Sequence, residues 1–347
     1  LVLYASLDKI GEATPVRSTQ GLYDNTRFVR RHFEVRPQDV RLVPDRSAVG
    51  PKWVPFIDGS NGASWVEPLR IVASWGAHGI EPKLLMSEKT RSVVYRYANE
   101  QFFFCPNGIA FSMIGNSFSG RKHRFIGVFG GMGRSMFPKE PQSALCHLNS
   151  TKARRIMEDL NPTIHFNAGD VNRLPILPIQ MSEDVVSELE QCFAEHESHR
   201  EPSVEFRKPG PSAWEYAQHW AQAAVDCADG IEAPQFEPSY SSEDPAAHVS
   251  FALGCALGRF NQEGQGILTS EDTELSFALR SGILFLDSSL EPDDYRDSLG
   301  QEAAKFLVEV WRTHGRLIAS DISLRDYLRL SFFEGVHRPM YENRPIH

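Results

Sequence analysis

The 347-residue chain contains 41% hydrophobic and 23% charged residues, and this composition excludes a disordered or collagen-like protein. No apolar run approaches the ~20 residues of a bilayer-spanning helix, so we expect no membrane segment. The five cysteines are odd in number and include no CxxC pair. They favour reduced thiols over a disulfide framework and therefore a cytoplasmic location.

The net charge of −9 is divided unevenly along the chain. Residues 1–180 contain 23 Lys and Arg against 15 Asp and Glu, whereas residues 181–347 contain 13 against 30. A basic half joined to a strongly acidic half indicates a nucleic-acid-binding surface on the first half only. Two ordinary surfaces of opposite charge that attract each other remain the alternative.

In the first half, short runs of aromatic and β-branched residues bounded by Gly, Pro and Asn predict strands. These runs are Trp53–Ile57, 93–97, 102–104 and 125–129. A single helix is predicted over 142–160, because apolar residues recur near helical spacing and Asn161-Pro162 follows. Residues 1–180 are therefore expected to form a mixed α/β domain.

The second half has a different residue pattern, in which helical spacing predominates. The capping-box-like sequence Ser182-Glu-Asp-Val185 predicts the start of a helix that runs towards residue 197. Further helices are predicted at 212–229, 303–313 and 323–333, with connecting segments at 201–212 and 230–245 and a buried strand at 282–286. We therefore predict an α+β fold in which an acidic, mainly helical region over 181–347 follows the mixed domain.

Common catalytic signatures are absent from the sequence. It contains no P-loop, GxSxG or HExxH motif. Asn161-Pro-Thr163 lacks the second proline and the aromatic of the Asn-Pro-Pro-aromatic loop that amino-methyltransferases use on a flipped base. The glycine-rich segment 127–133 lacks a following helix, which favours an exposed, flexible loop over a phosphate cradle. We assign no catalytic residue and no cofactor site.

One group of side chains has partial metal-ligand spacing. Cys192 and His196 would lie one turn apart on a helix, with His199 nearby. A fourth ligand with sensible spacing is missing, and clustered Glu and His at the end of a charged helix usually form a solvated surface. We therefore assign no metal site.

Several segments resemble, in the same order, elements of one family of enzymes. They are Gly21-Leu-Tyr-Asp-Asn-Thr-Arg-Phe28, Pro51-Lys-Trp-Val-Pro-Phe-Ile-Asp-Gly59 with Val72-Ala-Ser-Trp75, Leu148-Asn-Ser150 with Leu160-Asn-Pro-Thr-Ile-His-Phe-Asn-Ala-Gly-Asp170, and Phe332-Phe-Glu-Gly-Val-His-Arg-Pro-Met-Tyr-Glu-Asn-Arg-Pro-Ile346. Together they resemble the part of the PglX-type adenine-specific DNA methyltransferases of BREX phage-defence systems that follows the catalytic domain, most closely the type 2 branch.

The resemblance has two departures. The Gly21 element lacks the Thr-Gly pair of the family pattern, and the chain ends at His347 where the family continues with Trp. The upstream S-adenosylmethionine-binding and catalytic domain is not represented, and the acidic region is expected to be truncated at its end. The resemblance thus implies a target-recognition domain over 1–180 that binds double-stranded DNA, with no cofactor of its own and no methylation when alone.

The resemblance also suggests partners and alternatives. An acidic second half would be repelled by DNA and is expected to face away from it or to bind other BREX proteins. The specificity region of a related type II restriction-modification fusion is one alternative. A protein-interaction module of a defence complex is another.

Basic and amide side chains of the first half are the candidates for DNA contact, because such groups neutralise phosphates and read base edges. Solvated surface charges are the alternative interpretation. The residues predicted to bind DNA are Asn25, Arg27, Arg30, Lys52, Lys89, Arg91, Arg121, Lys122, Arg124 and Arg134.

Overall fold

The computed structural model describes residues 6–19, 21–22, 24–42, 52–60, 62–90, 97, 99–228, 230–268 and 305–346. These residues cluster into two compact units. The first lies within Leu1–Phe193 and Trp214–Pro238, and the second within Ala194–Ala213 and Ser239–His347. The first unit combines sheets and helices and the described part of the second is helical, which confirms the predicted α+β class.

The first unit contains two four-stranded sheets. Across the first sheet the strands are β1 (Val29–Arg31), β4 (Ile71–Ser74), β2 (Trp53–Ile57) and β7 (Val128–Phe129). Strands β1 and β2 both run antiparallel to β4, and β7 runs parallel to β2. Across the second sheet the strands are β3 (Trp65–Glu67), β6 (Gly120–His123), β5 (Ile109–Ser112) and β8 (Gly133–Met136).

Eight helices accompany these sheets in the described residues up to Val225. They are α1 (Ile10–Ala13), α2 (Asn25–Phe28), α3 (Gly76–Thr90), α4 (Pro141–Asn149), α5 (Thr151–Leu160), α6 (Ala168–Asn172), α7 (Ser182–His199) and α8 (Trp214–Val225). The first turn of α3 is irregular, because its backbone is left-handed from Ala77 to Gly79. The predicted helices near 182–197 and 212–229 are confirmed as α7 and α8.

The predicted helix over 142–160 is two helices. Ser150 has extended backbone angles, and its hydroxyl accepts a hydrogen bond from the backbone N–H of Ala153 at 3.1 Å, which caps α5. The preceding Asn149 is fully buried, and its side chain bonds both backbone groups of Gly120 at the start of β6. The break between α4 and α5 therefore coincides with a hydrogen-bonded contact between the Asn149 amide and the second sheet.

Two strand predictions in the aromatic runs need correction. Residues Glu100–Phe102 form a 3₁₀ turn instead of the predicted strand at 102–104, and only Val128–Phe129 of the run 125–129 is a strand. Phe103 is buried with its ring centroid 5.3 Å from that of Trp75 and 5.1 Å from that of Phe129. Phe103, which directly follows this turn, therefore packs in the core without belonging to a strand. The predicted strands at 93–97, residue 97 apart, and 282–286 lie outside the described residues.

The second unit is built on helix α9 (Pro245–Ala256) and two later helices. Helix α10 spans 305–310 and continues through a π-helical turn, Trp311–Gly315, into Arg316–Ile318. Helix α11 begins as Leu324–Tyr327, is π-helical over Leu328–His337 and ends with Arg338–Met340. These positions confirm the helices predicted near 303–313 and 323–333. Their shared core contains Val249, Ala252, Leu307, Tyr327 and Phe332.

Candidate nucleic-acid interface

Two predicted cations lie at one end of the first sheet. Strand register pairs Val29 with Ala73 and Trp53 with Ser74, so β1 and β2 both begin beside the carboxyl end of β4. Arg27 in α2 and Lys52 just before β2 therefore flank this end, and both side chains are exposed. Each cation lies near a neighbouring ring: the Arg27 Cζ is 5.1 Å from the Phe28 centroid and the Lys52 Nζ is 5.7 Å from that of Trp53. We call Arg27 and Lys52 the sheet-end cations.

The other predicted contacts in α2, β1 and α3 have different surroundings. Asn25 is exposed in α2, whose first turn is capped by the Asp24 carboxylate accepting from the Arg27 N–H at 3.0 Å. Arg30 is half-buried and donates to the carbonyls of Thr26 and Val29, at 2.7 Å each, so part of its hydrogen-bonding capacity is used locally. Lys89 is exposed near the end of α3. Arg91 lies outside the described residues.

The first three residues of the cluster 121–124 lie in β6 and alternate in burial, so the cluster is not a solvated patch. Arg121 is 0% exposed, forms an ion pair with Glu67, and donates to the Ser112 hydroxyl at 3.1 Å and the Asp58 carbonyl at 3.0 Å. Lys122 is half-buried, and its Nζ lies 2.5 Å from the Glu190 Oε1. In this structure both cations are engaged inside the protein. Arg124, immediately after β6, is half-buried.

The glycine-rich segment is packed against β2 and does not form the predicted exposed, flexible loop. A Cβ at Gly127 would lie 2.1 Å from the Pro55 carbonyl oxygen, and one at Gly133 would lie 2.6 Å from that of Ile57. Val128 and Phe129 between them are buried. The expectation of an exposed loop is therefore wrong, because the glycines allow β7 and the start of β8 to lie directly on the backbone of β2.

This packing forms one wall of a cleft of about 570 Å³ in the first unit. The cleft brings together Asn25 and Arg134 from the predicted DNA-binding set and adds Asp58 from the end of β2. We call it the Arg134 cleft. Its remaining lining is formed by Ser18, Thr19, Gly21, Leu22, Phe56, Met113, Gly131 and Met132.

Arg134 is the cation of this cleft. Its Nη2 lies 3.2 Å from the Met113 Sδ, a weak acceptor, and its buried Nε has no hydrogen-bond partner. Burial lowers the pKa of the guanidinium, which nevertheless remains protonated at neutral pH. Within the described ranges no carboxylate lies at ion-pair distance from it. The terminal nitrogens of the guanidinium therefore retain donors for an external acceptor.

Asp58 is a functional candidate that the sequence analysis did not single out. Burial raises the pKa of its carboxyl group, and the nearby Glu67 carboxylate raises this pKa further. A backbone N–H of Met132 and the charges of Arg70 and Arg121 act in the opposite direction. Asp58 does lie in the family-like segment 51–59, but an Asp-Gly pair after a strand is also an ordinary turn signal.

The Asn-Pro-Thr segment has a structural role. The Asn161 side chain donates to the His165 carbonyl and to the Asp170 carboxylate at 2.7 Å each, and it accepts from the Thr163 hydroxyl at 2.7 Å. These bonds fold residues 161–170 into a closed turn. This arrangement uses the asparagine amide to hold its own backbone.

The three residues with metal-like spacing have other contacts. Cys192 is buried, the His196 Nδ1 lies 2.9 Å from the Ser212 hydroxyl, and the His199 Nδ1 lies 2.7 Å from the Pro211 carbonyl oxygen. Across the described residues, no group of three or more His, Cys, Asp or Glu side chains is placed to hold a metal ion. Likewise, no described helix is long and apolar enough to span a membrane.

The chain is thus a two-unit α+β protein whose mixed unit contains a cleft lined, among the described residues, by one cation, Arg134, and one carboxyl group, Asp58. No family model matches the chain. The adenine-specific methyltransferase PglX of Lacticaseibacillus casei (strain Zhang) is 23% identical to it, over 93% of this chain and 32% of that protein. The chain therefore spans about a third of the length of the curated relative that it matches.

Proposed function

We propose that this chain is the DNA target-recognition portion of a PglX-type adenine-N6 DNA methyltransferase in a BREX phage-defence system. The alignment with the Lacticaseibacillus casei protein carries the proposal, because 93% of the chain corresponds to 32% of that enzyme, the relation of one module to a larger protein. In this proposal, S-adenosylmethionine binding and methyl transfer belong to the remainder of the parent enzyme. This chain supplies DNA binding and methylates nothing alone.

A separate recognition module suits the chemistry of adenine methylation. The enzyme must extrude one base from the duplex and must also identify the site in which that base lies. Phosphate contacts fix register, whereas side chains aimed at base edges specify sequence. We assign the phosphate contacts to the sheet-end cations and Lys89, which are exposed, and the base contacts to the Arg134 cleft. Arg121 and Lys122 are left out because both are engaged by carboxylates.

The acidic region has a different role in this proposal. Residues 181–347 contain 30 Asp and Glu against 13 Lys and Arg, so the DNA backbone would repel this part of the chain. We therefore assign it to contacts with other BREX proteins. Such a division explains how a chain with a net charge of −9 can bind a polyanion.

Salt dependence of DNA binding tests the proposal. Three phosphate contacts release about three counterions, so the affinity of the full 347-residue chain for a duplex should fall about 40-fold between 50 and 200 mM salt. Fluorescence anisotropy with a labelled 30-base-pair duplex measures this slope. The double variant Lys52→Gln, Lys89→Gln should make the slope shallower by about two.

The matched control is Lys152→Gln, Arg155→Gln. It removes the same charge from two exposed positions on α5 that we do not assign to the interface, and it should leave the slope unchanged. Duplex binding that is absent at 50 mM salt, or that is insensitive to salt, would contradict the proposal.

A further inference from the structure

We propose that the Arg134 cleft reads a guanine of the recognition sequence, with the Arg134 guanidinium donating to guanine O6 and N7. The inference rests on the proposed function and names the residue that gives it sequence preference. It is carried by a cation that lines a cleft of about 570 Å³ and whose terminal nitrogens make one weak contact, from Nη2 to the Met113 Sδ, within the described residues. Because a guanidinium gains most from charged or strong acceptors, these terminal nitrogens are the groups that a ligand in the cleft would engage.

The composition of the cleft favours a base over a phosphate. Asp58 and Asn25 share the cleft with Arg134, and a carboxyl oxygen is an acceptor. A phosphate presents only acceptors and negative charge. It would accept hydrogen bonds from Arg134, but it would leave the Asp58 carboxylate facing another negatively charged acceptor. A guanine–cytosine pair satisfies both, because guanine O6 and N7 accept from arginine while cytosine N4 donates to a carboxylate.

Guanine also fits better than adenine. In the major groove, adenine presents N7 as an acceptor but N6 as a donor, which would face the N–H groups of the guanidinium. Guanine presents two adjacent acceptors that match the fork of an arginine. Its recognition therefore leaves no donor of Arg134 opposed to another donor.

The walls of the cleft are suited to holding this geometry. Gly130 and Gly133 lie so close to Asp58 that a Cβ at Gly130 would come within 2.8 Å of its Oδ1, and one at Gly133 within 2.7 Å of its Cα. Arg134 directly follows Gly133 in β8, which is paired along its length with β5. Both polar groups thus stand on strand ends that are packed against each other, and such placement limits the entropy lost on binding.

Selection from a randomised duplex library tests the inference. The wild-type chain should enrich a motif that contains at least one guanine. Arg134→Gln should lose about 10- to 100-fold of the preference for guanine at one position and gain preference for adenine there, because glutamine pairs with adenine N6 and N7. The matched variant Arg155→Gln, an identical change at an exposed site, should return the wild-type motif.

A change on the DNA side makes the test independent of variant folding. Replacing each guanine of the selected motif by 7-deazaguanine removes its N7 acceptor. One of these replacements should weaken wild-type binding and should have no further effect on Arg134→Gln. Thermal unfolding of Arg134→Gln and Arg155→Gln confirms that both chains are folded.

The outcomes separate the inference from the function on which it rests. If the wild-type chain binds a motif but tolerates 7-deazaguanine at every position, the inference is wrong and the proposed function stands. The inference also fails if Arg134→Gln weakens all sequences equally and lowers the salt slope by about one, since this is the signature of a phosphate contact. If the wild-type chain binds no duplex, both fail.

Discussion

At the scale of single residues, the sequence does not distinguish a buried cation from an exposed one. The cluster Arg121-Lys-His-Arg124 lacks the apolar alternation that marks a half-buried strand, and it therefore resembles a solvated patch. In the structure the alternation exists, but Arg121 and His123 occupy the buried positions. Glu67, 54 residues earlier, supplies the compensating charge through the β3–β6 pairing. Only the long-range pairing reveals that Arg121 is neutralised internally.

This burial predicts a large effect at Glu67. The side chains of Arg121 and Glu67 are 0% and 6% exposed, so Glu67→Gln would leave a buried guanidinium without its counter-charge. We expect the free energy of unfolding to fall by about 3–5 kcal/mol, as is typical when one partner of a buried pair is removed. Urea unfolding followed by circular dichroism measures the loss.

The control for this prediction is an exposed pair of the same unit. The Arg36 Nε lies 3.0 Å from the Asp39 Oδ2, with side chains that are 64% and 36% exposed. Asp39→Asn should change the free energy of unfolding by less than about 1 kcal/mol. Equal effects of the two substitutions would show that Arg121 does not depend on Glu67.

At the scale of elements, the sequence predicts whether a segment is a helix or a strand better than it predicts where the element ends and what it contacts. Strand β2 lies where the aromatic run Trp53–Ile57 predicts it, because β-branched and aromatic residues suit a buried strand. The helix over 142–160 is divided because Asn149 turns inward to bond Gly120, a tertiary contact that helical periodicity cannot show. The glycines of 127–133 indicate a flexible loop locally, yet the structure uses them for close approach of strands.

The close approach predicts opposite effects of alanine at two glycines. Gly127→Ala would place a Cβ 2.1 Å from the Pro55 carbonyl, so a backbone must shift, and we expect a loss of about 3 kcal/mol in the free energy of unfolding. A Cβ at Gly169 in α6 would meet no atom within 4 Å. Gly169→Ala should therefore be neutral or stabilising by up to about 1 kcal/mol.

Thermal unfolding of both glycine variants measures the difference. It also bears on the Arg134 cleft, because the wall that Gly127 helps to form is rigid only if β7 lies on β2. A Gly127→Ala chain as stable as the wild type would mean that the glycine-rich segment 127–133 accommodates the methyl group without a loss in the free energy of unfolding. In that case the wall would not fix the cleft.

At the scale of the whole molecule, composition predicts the α+β class but not the path of the chain. The two compact units exchange chain at residues 193–194, 213–214 and 238–239. The last two boundaries lie directly after and inside the predicted connecting segments 201–212 and 230–245, whereas 193–194 lies within α7, where no change of composition marks it. Helix α8, from beyond residue 213, belongs to the first unit. In that unit the Arg154 guanidinium donates to the side-chain oxygen of Gln222 at 2.7 Å, and the Thr151 N–H donates to the Asp226 carboxylate at 2.7 Å. A fragment that ends near residue 180 would lack this part of the first unit, so DNA binding should be measured with the full chain.

Buried histidines of the first unit give the whole chain a predictable pH response. Burial lowers the pKa of His147 from its ordinary value of 6.5 to about 4, and that of His123 to about 3. Because these folded-state values are below the unfolded one, the unfolded chain takes up protons first. The stability contributed by neutral burial is therefore present above pH 6.5 and is lost as the pH falls towards 4.

Each such histidine should lower the free energy of unfolding by about 1.4 kcal/mol per pH unit between pH 6 and pH 5. Asp58 and Glu201 act in the opposite sense, because burial raises the pKa of each carboxyl group and their protonation favours the folded state. The wild-type curve thus contains opposing contributions. Comparison of the wild type with a variant that lacks one histidine isolates the contribution of that histidine to the pH dependence of the free energy of unfolding.

His147→Phe is suited to this measurement, because the ring lines a cavity of about 230 Å³ that can accommodate the slightly larger side chain. Urea unfolding at pH 7, 6 and 5 should show that the variant loses about 1.4 kcal/mol less than the wild type between pH 6 and 5. Parallel curves for the two chains would mean that His147 titrates alike in the folded and unfolded states.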